Sequence, residues 1–304
     1  MREQSRTWRP GRAVDAHLTL APLRRGTADP THRATPDGLL WRTCRTPDGP
    51  GTLRIGVRRR DGTVEARAWG SGADWLLHTM PGLLGDQDDD SGFSPRHPVV
   101  RDAAARMPGL RIPRTRLVFD ALVPAVLEQK VTVIEARRGW RHLVHRFGTP
   151  APGPVPLGMR VAPAARDWAR IPSWEWHRAG VDDRRARTVV EAARVVHRLE
   201  ETLDAPAVDV ERRLRTVPGI GVWTAAEIMQ RAHGDADAVS VGDLHLPGLI
   251  GYALAGRPVD DAGMLELLEP YRGHRHRAAR LIALAGVRVP RRAPRAAPRD
   301  FRNM

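Results

Sequence analysis

Short alternations of apolar and polar positions fill the first third of the chain, and recurrences every three or four residues fill the rest. "GLLWRTCRT" and "TLRIGVRRRDGTVEARAWG" look like strands, and Asp61-Gly62 inside the second predicts a hairpin turn. "AVDAHLTLAPL" alternates in part and joins them. "GADWLLHTMPGLLG" predicts a short helix that stops at Pro81-Gly82, and "DQDDDSGF" an acidic, solvated turn. From Pro113 the period is helical. Over residues 117–148 apolar residues recur at Phe119, Leu122, Val123, Val126 and Leu127, a Val131-Thr132-Val133-Ile134 run predicts a break between two helices, and Gly148 ends the second. "DDRRARTVVEAARVVHRLEE" is an amphipathic helix with Asp182 or Asp183 as its cap. Further helices are expected near 243–254, 261–268 and 274–285. The class is α+β: a mixed, β-rich N-terminal domain (1–110), an all-helical domain (111–290) and a basic Pro/Arg-rich tail (291–304) of disordered composition.

Within the helical part, "TVPGIGVWTAAEI" sets Pro218, Gly219 and Gly221 between two helical segments. "VDVERRLRTV" before it has apolar residues at Val208, Val210, Leu214 and Val217; "VWTAAEIMQRA" after it has no interior breaker. Such a turn makes a helical hairpin whose second helix opens just after Gly221. Its first backbone N–H groups lack partners within the helix, and the glycines let a ligand come close. An anion suits that place, which is also the positive end of the helix dipole.

Charge agrees. The 304 residues carry 49 Lys+Arg against 35 Asp+Glu, a formal net charge of +14, which fits a polyanionic partner such as nucleic acid. The preference for Arg over Lys suits bidentate phosphate contacts, although a GC-rich genome produces the same preference. One cysteine, Cys44, excludes a disulfide framework and multi-cysteine metal centres. No apolar run approaches the roughly 18 residues that would span a bilayer, and "MREQSRTWRPGR" has no apolar signal core. A soluble, cytoplasmic, nucleoid-associated monomer is the expectation.

Asp243 follows the small apolar run "AVSVG" and stands where a helix is expected to open, so it is either a helix cap or a reacting carboxylate. His245 is expected on the buried side of that helix or holding the loop, and the His274/His276 region as a basic helix start facing a polyanion.

Taken together, "VPGIGVWTA" (217–225) and the aspartate of "VGDLHL" (241–246) resemble the signature of the helix-hairpin-helix DNA glycosylases, in their DNA-3-methyladenine glycosylase II branch. "FDALVPAVLEQKVT" (119–132) resembles that branch's early helix pair, and "EPYRGHRHRAARL" (269–281) its closing helix start. The mixed N-terminal region fits the branch's additional β-domain. The resemblance implies a base-excision enzyme that flips a damaged nucleotide out of double-stranded DNA and hydrolyses N-alkylated purines from it. A non-catalytic DNA-binding protein that kept the hairpin is the alternative.

Residue by residue, it implies that Asp243 stabilises the positive charge developing on the sugar. Trp223, Glu227 and Leu244 would line the base pocket. Gln129, Lys130, Val217, Gly219, Gly221, Val222, Thr224 and Arg272 would contact DNA. It implies no required cofactor or catalytic metal, and a monovalent cation on the hairpin's carbonyls. Strand-cutting members carry a lysine where Trp223 stands, so a monofunctional enzyme is implied; the indole also suits a cationic base, by about 0.5–2 kcal/mol of cation–π attraction. Three departures stand out. Lys130 occupies the place of an apolar intercalating plug. Glu227 stands where an aromatic is usual, either favouring a cationic base or pairing with an arginine. The last helix lacks a second pocket aromatic.

Overall fold

Asp61-Gly62 turns the chain as expected. Gly62 takes φ +68°, and the Arg58 N–H donates to the Thr63 carbonyl at 2.8 Å. The two strands it joins, β4 (Gly49–Val57) and β5 (Val64–Gly70), form the middle of a five-stranded antiparallel sheet with β1 (Gln4–Trp8), β2 (His32–Ala34) and β3 (Leu40–Thr46), in the order β1-β5-β4-β3-β2. The computed structural model describes residues 3–58 and 60–290, and the tail expected to be disordered lies outside them. The α+β class is the one observed, a sheet followed by a largely helical region.

The period-two pattern sorts the two faces of the sheet. Cys44, Leu53, Ile55, Val64, Ala66 and Ala68 pack against α1 (Ala16–Leu20) and α2 (Ala73–Leu83). Trp41 and Trp69 stack on the other face with centroids 5.6 Å apart, under Met159. Then come α3 (Pro98–Arg106), α4 (Val118–Leu127), α5 (Val133–Phe147), the short pair β6 (Thr149–Pro150) and β7 (Arg160–Val161), α6 (Ala165–Trp168), α7 (Ser173–Arg178), α8 (Asp183–Arg194), α9 (Val196–Glu200), α10 (Ala207–Leu214), α11 (Val222–Ile228), α12 (Leu246–Ala255), α13 (Asp261–Leu268) and α14 (Arg275–Leu284). One helical core gathers around α4, α8 and α11, and another joins α3 to α12, α13 and α14.

Several sequence expectations need correction. "AVDAHLTLAPL" is not a strand: Asp15 caps α1 through the Leu18 N–H, and a 3-10 turn follows at Ala21–Leu23. The missed first strand, "QSRTW", is a polar edge strand with no alternation to betray it. Helix α2 does not stop at Pro81. Proline leaves the Leu77 carbonyl without its helical donor, and the Arg6 guanidinium supplies one at 2.8 Å. Helix α3, before Pro113, went unseen; it opens on Pro98, pre-set for a first helical position. The helix over 182–201 breaks at Val195, with Asp182 as its cap. The break within 131–134 falls earlier: α4 ends at Leu127, and Thr132 with Glu135 forms a capping box for α5.

The acidic turn is not simply solvated. Asp88 lies buried, takes both guanidinium arms of Arg277 and accepts the Ile112 N–H at 2.9 Å. Arg277 is itself buried, and burial among arginines holds His276 well below its ordinary pKa and so neutral. The start of α14 is therefore an internal clasp, not the polyanion-facing patch expected of it.

Candidate active site

Leu214, Val217 and Ile220 are buried and anchor the hairpin of α10 and α11 in the helical core. The two glycines between the helices serve different ends. Gly219 takes φ +92°, and a Cβ there would meet the Thr188 hydroxyl of α8 at 2.0 Å, so only glycine closes this turn. Gly221 caps α11 in extended backbone that any residue adopts, and a Cβ there would meet nothing within 4 Å. The chain at the start of α11 thus borders free space at Gly221. Val222 is half-buried and Thr224 is buried, while a π turn at Met229–His233 prolongs α11.

The turn between α4 and α5 is tied to this hairpin. Gln129 donates from its amide to the Gly219 carbonyl at 3.0 Å and to the Thr224 hydroxyl at 2.8 Å, a joint between elements that no spacing foretold. Its neighbour Lys130 is exposed in left-handed backbone at φ +54°, which costs a non-glycine residue about 1–2 kcal/mol. Lys130→Gly should therefore leave urea stability equal or higher. If Lys130 meets a phosphate, the same variant should lower the salt slope of DNA binding by about one; an unchanged slope would remove Lys130 from the interface.

Asp243 sits at the seam between the α11 core and the core of α12 to α14. Helix α12 opens at Leu246, three residues later than expected, with His245 at the cap position. Asp243 still satisfies the helix start: its Oδ1 accepts the His245 and Leu246 N–H groups at 2.8 and 2.9 Å. The other oxygen, Oδ2, accepts the Trp223 indole N–H at 3.0 Å. The half-buried carboxylate is thus a helix cap through one oxygen and a partner of Trp223 through the other.

Of the two roles open for Glu227, pairing is the one observed. Its carboxylate meets Arg231 at 2.8 Å and accepts the Ser240 hydroxyl at 2.6 Å. Ser240 and Gln230 went unnoticed in the sequence, where an isolated serine and glutamine give no signal. Gln230 donates to the Ala238 carbonyl and to Ser240, both at 2.9 Å. Leu244 is 87% exposed. Arg272 is exposed and pairs with Glu269 at 2.7 Å. His245 is exposed rather than buried and contributes its backbone N–H. Among the described residues no group of His, Cys, Asp and Glu could hold a metal ion, and no helix is long and apolar enough to cross a membrane.

No family model matches the chain. A "probable bifunctional transcriptional activator/DNA repair enzyme AlkA" of Mycobacterium tuberculosis is 33% identical over 152 residues, 49% of this chain. The match spans only 30% of that relative's length. Among solved structures, a 3-methyladenine DNA-glycosylase from Archaeoglobus fulgidus superposes with a TM-score of 0.76 at 17% identity, covering 92% of this chain and 98% of the other. An 8-oxoguanine glycosylase/lyase of Clostridium acetobutylicum follows at 0.72 and 12% identity, covering 94% and 98%. At these identities the two superpositions establish a shared fold.

Proposed function

We infer that the chain is a 3-methyladenine glycosylase-like member of the helix-hairpin-helix DNA glycosylase superfamily, similar to the relatives described above, and that it is a monofunctional DNA N-glycosylase that removes N-alkylated purines. The observation that carries this reading is a carboxylate, Asp243, bonded at 3.0 Å to the second hairpin helix, whose N-terminus is open at Gly221.

The steps follow from the residues. The α11 N–H groups beyond Gly221 hold a backbone phosphate beside the flipped nucleotide, which fixes the strand without reading sequence. As the glycosidic bond lengthens, positive charge gathers on the sugar, and the Asp243 carboxylate stabilises it and orients the attacking water. An N-alkylated purine already carries positive charge and leaves with little help from an acid. Trp223 has no amine to form a Schiff base, so the abasic product stays uncut. A monovalent cation fits the hairpin's donor chemistry, since residues 216–222 include no carboxylate and offer neutral carbonyl oxygens. The Val217 carbonyl already accepts Ile220 N–H at 3.0 Å, and no step depends on the ion.

Base release from methylated duplex DNA tests the reading, with free bases separated by chromatography and strand breaks scored apart. Free methylpurines with uncut abasic sites are expected. Strand scission without added base would overturn the monofunctional assignment, and binding without release would leave only a DNA-binding module.

The hairpin glycines separate fold from grip. Gly219→Ala should cost about 1–3 kcal/mol of stability, because φ is positive and Thr188 stands in the way. Gly221→Val should unfold within about 1 kcal/mol of wild type yet bind all duplexes more weakly by one common factor. Normal affinity in Gly221→Val would sink the phosphate grip.

A further inference from the structure

Trp223, Glu227 and Gln230 are spaced i, i+4 and i+7 and lie on one face of α11 and its π extension. All three reach the loop that carries Asp243. Gln230 donates to the Ala238 carbonyl and the Ser240 hydroxyl, both at 2.9 Å. Ser240 in turn donates to Glu227 at 2.6 Å, and the Trp223 indole donates to Asp243 at 3.0 Å. The contacts advance along the loop, from 238 to 240 to 243, as they step back along the helix from 230 to 227 to 223. The loop therefore runs antiparallel to the helix and is fastened at three successive levels.

We propose that this face of α11 is a ladder that sets the position of the Asp243 carboxylate, and that Trp223 is a positioning residue as well as a wall of the base pocket. The proposal rests on the reading of Asp243 as the catalytic carboxylate. Asp243 follows Gly242, which takes φ +87° and donates its N–H to the Asp261 carboxylate at 3.1 Å, so the backbone delivers Asp243 from a held turn. The cap bonds from His245 and Leu246 hold one oxygen, Oδ1. Because both oxygens belong to one rigid plane, these bonds and the indole bond to Oδ2 together set the rotation of the carboxylate about Cβ–Cγ. Among the described residues the indole N–H is the hydrogen-bond donor on Oδ2, so its loss lets the carboxylate tilt within its cap bonds.

The same bond restrains the indole, because its single donor must point at Oδ2. The pocket's aromatic face and the reacting carboxylate are thereby linked by one hydrogen bond. Ser240 and Glu227 act at one remove, by holding the loop that delivers Asp243. Ser240 is buried and Glu227 nearly so, which leaves them away from the bound strand.

Trp223→Phe keeps an aromatic face and removes the donor; Ser240→Ala removes the middle rung without touching either cleft residue. Both are measured by single-turnover base release at saturating enzyme, beside the Kd for the same lesion duplex and the urea midpoint. We expect the chemical rate to fall about 10- to 100-fold in Trp223→Phe and less in Ser240→Ala, with Kd within about threefold of wild type, as displacement of a reacting group by an ångström produces. A weakened Kd with an unchanged rate in Trp223→Phe would overturn the proposal and leave Trp223 as a stacking surface alone. If Trp223→Phe unfolds, Ser240→Ala decides: an unchanged rate there rejects the ladder. Asp243→Asn in the same assay keeps the two readings apart. Full activity in that variant defeats the catalytic assignment, whereas its inactivity beside a wild-type rate in Trp223→Phe defeats only the ladder.

Discussion

Asp243→Asn is expected to release methylpurines on the order of 10³-fold more slowly than wild type, with DNA affinity unchanged or slightly higher. Two losses combine. The substitution removes the negative charge that opposes the cation forming on the sugar, and one carboxylate oxygen becomes an amide nitrogen. If the remaining oxygen stays on the His245 and Leu246 N–H groups, the new NH2 faces the Trp223 N–H, donor against donor. If it turns to accept from Trp223, the helix start loses its acceptor. Neither orientation reproduces the native set of bonds, yet the start of α11 at Gly221 is untouched. Affinity should hold, and loss of a negative charge near the strand can only favour a polyanion. Rates from single-turnover release and Kd from fluorescence anisotropy check both halves. Release at the wild-type rate would exclude Asp243 from the chemistry.

Asp88→Ala should lower unfolding free energy by about 3–5 kcal/mol, the largest stability effect expected of any single change in the acidic turn. Its side chain is 2% exposed, and that of its partner Arg277 is 5% exposed. Alanine would leave a buried guanidinium without its counter-charge and the Ile112 N–H without its acceptor. Against a typical total of about 5–15 kcal/mol, this is a substantial share. The damage should also reach the cleft. The start of α14 is fastened to the loop before Asp243, through the Arg277 N–H to the Ala236 carbonyl at 3.1 Å and through the bonds of Arg275 to Asp237. Asp90→Ala is the control. Asp90 pairs with Arg12 in a more exposed setting and should cost no more than about 1 kcal/mol. Equal urea midpoints for the two variants would show that burial at Asp88 does not matter.

The sequence by itself determined what depends on neighbours along the chain. The Asp-Gly turn between β4 and β5, a cap at Asp182 or Asp183, the glycine turn between α10 and α11 and an aspartate ahead of α12 all follow from residue type at short spacing. Edge strand β1 and the passage of α2 through Pro81 escaped it, because β5 and Arg6 supply the missing partners from far away in sequence. The acidic turn looked solvated, for nothing in "DQDDDSGF" announces an arginine 189 residues on. The partners of the residues around Asp243 were decided the same way. Glu227 is an ion-paired rung because Arg231 and Ser240 stand beside it, Gln129 is bound to the hairpin, and Trp223 meets Asp243 only because two cores close against one seam. Local chemistry selects which groups can react; packing between distant segments decides which of them share a hydrogen bond, since a carboxylate's partners are chosen by position in space.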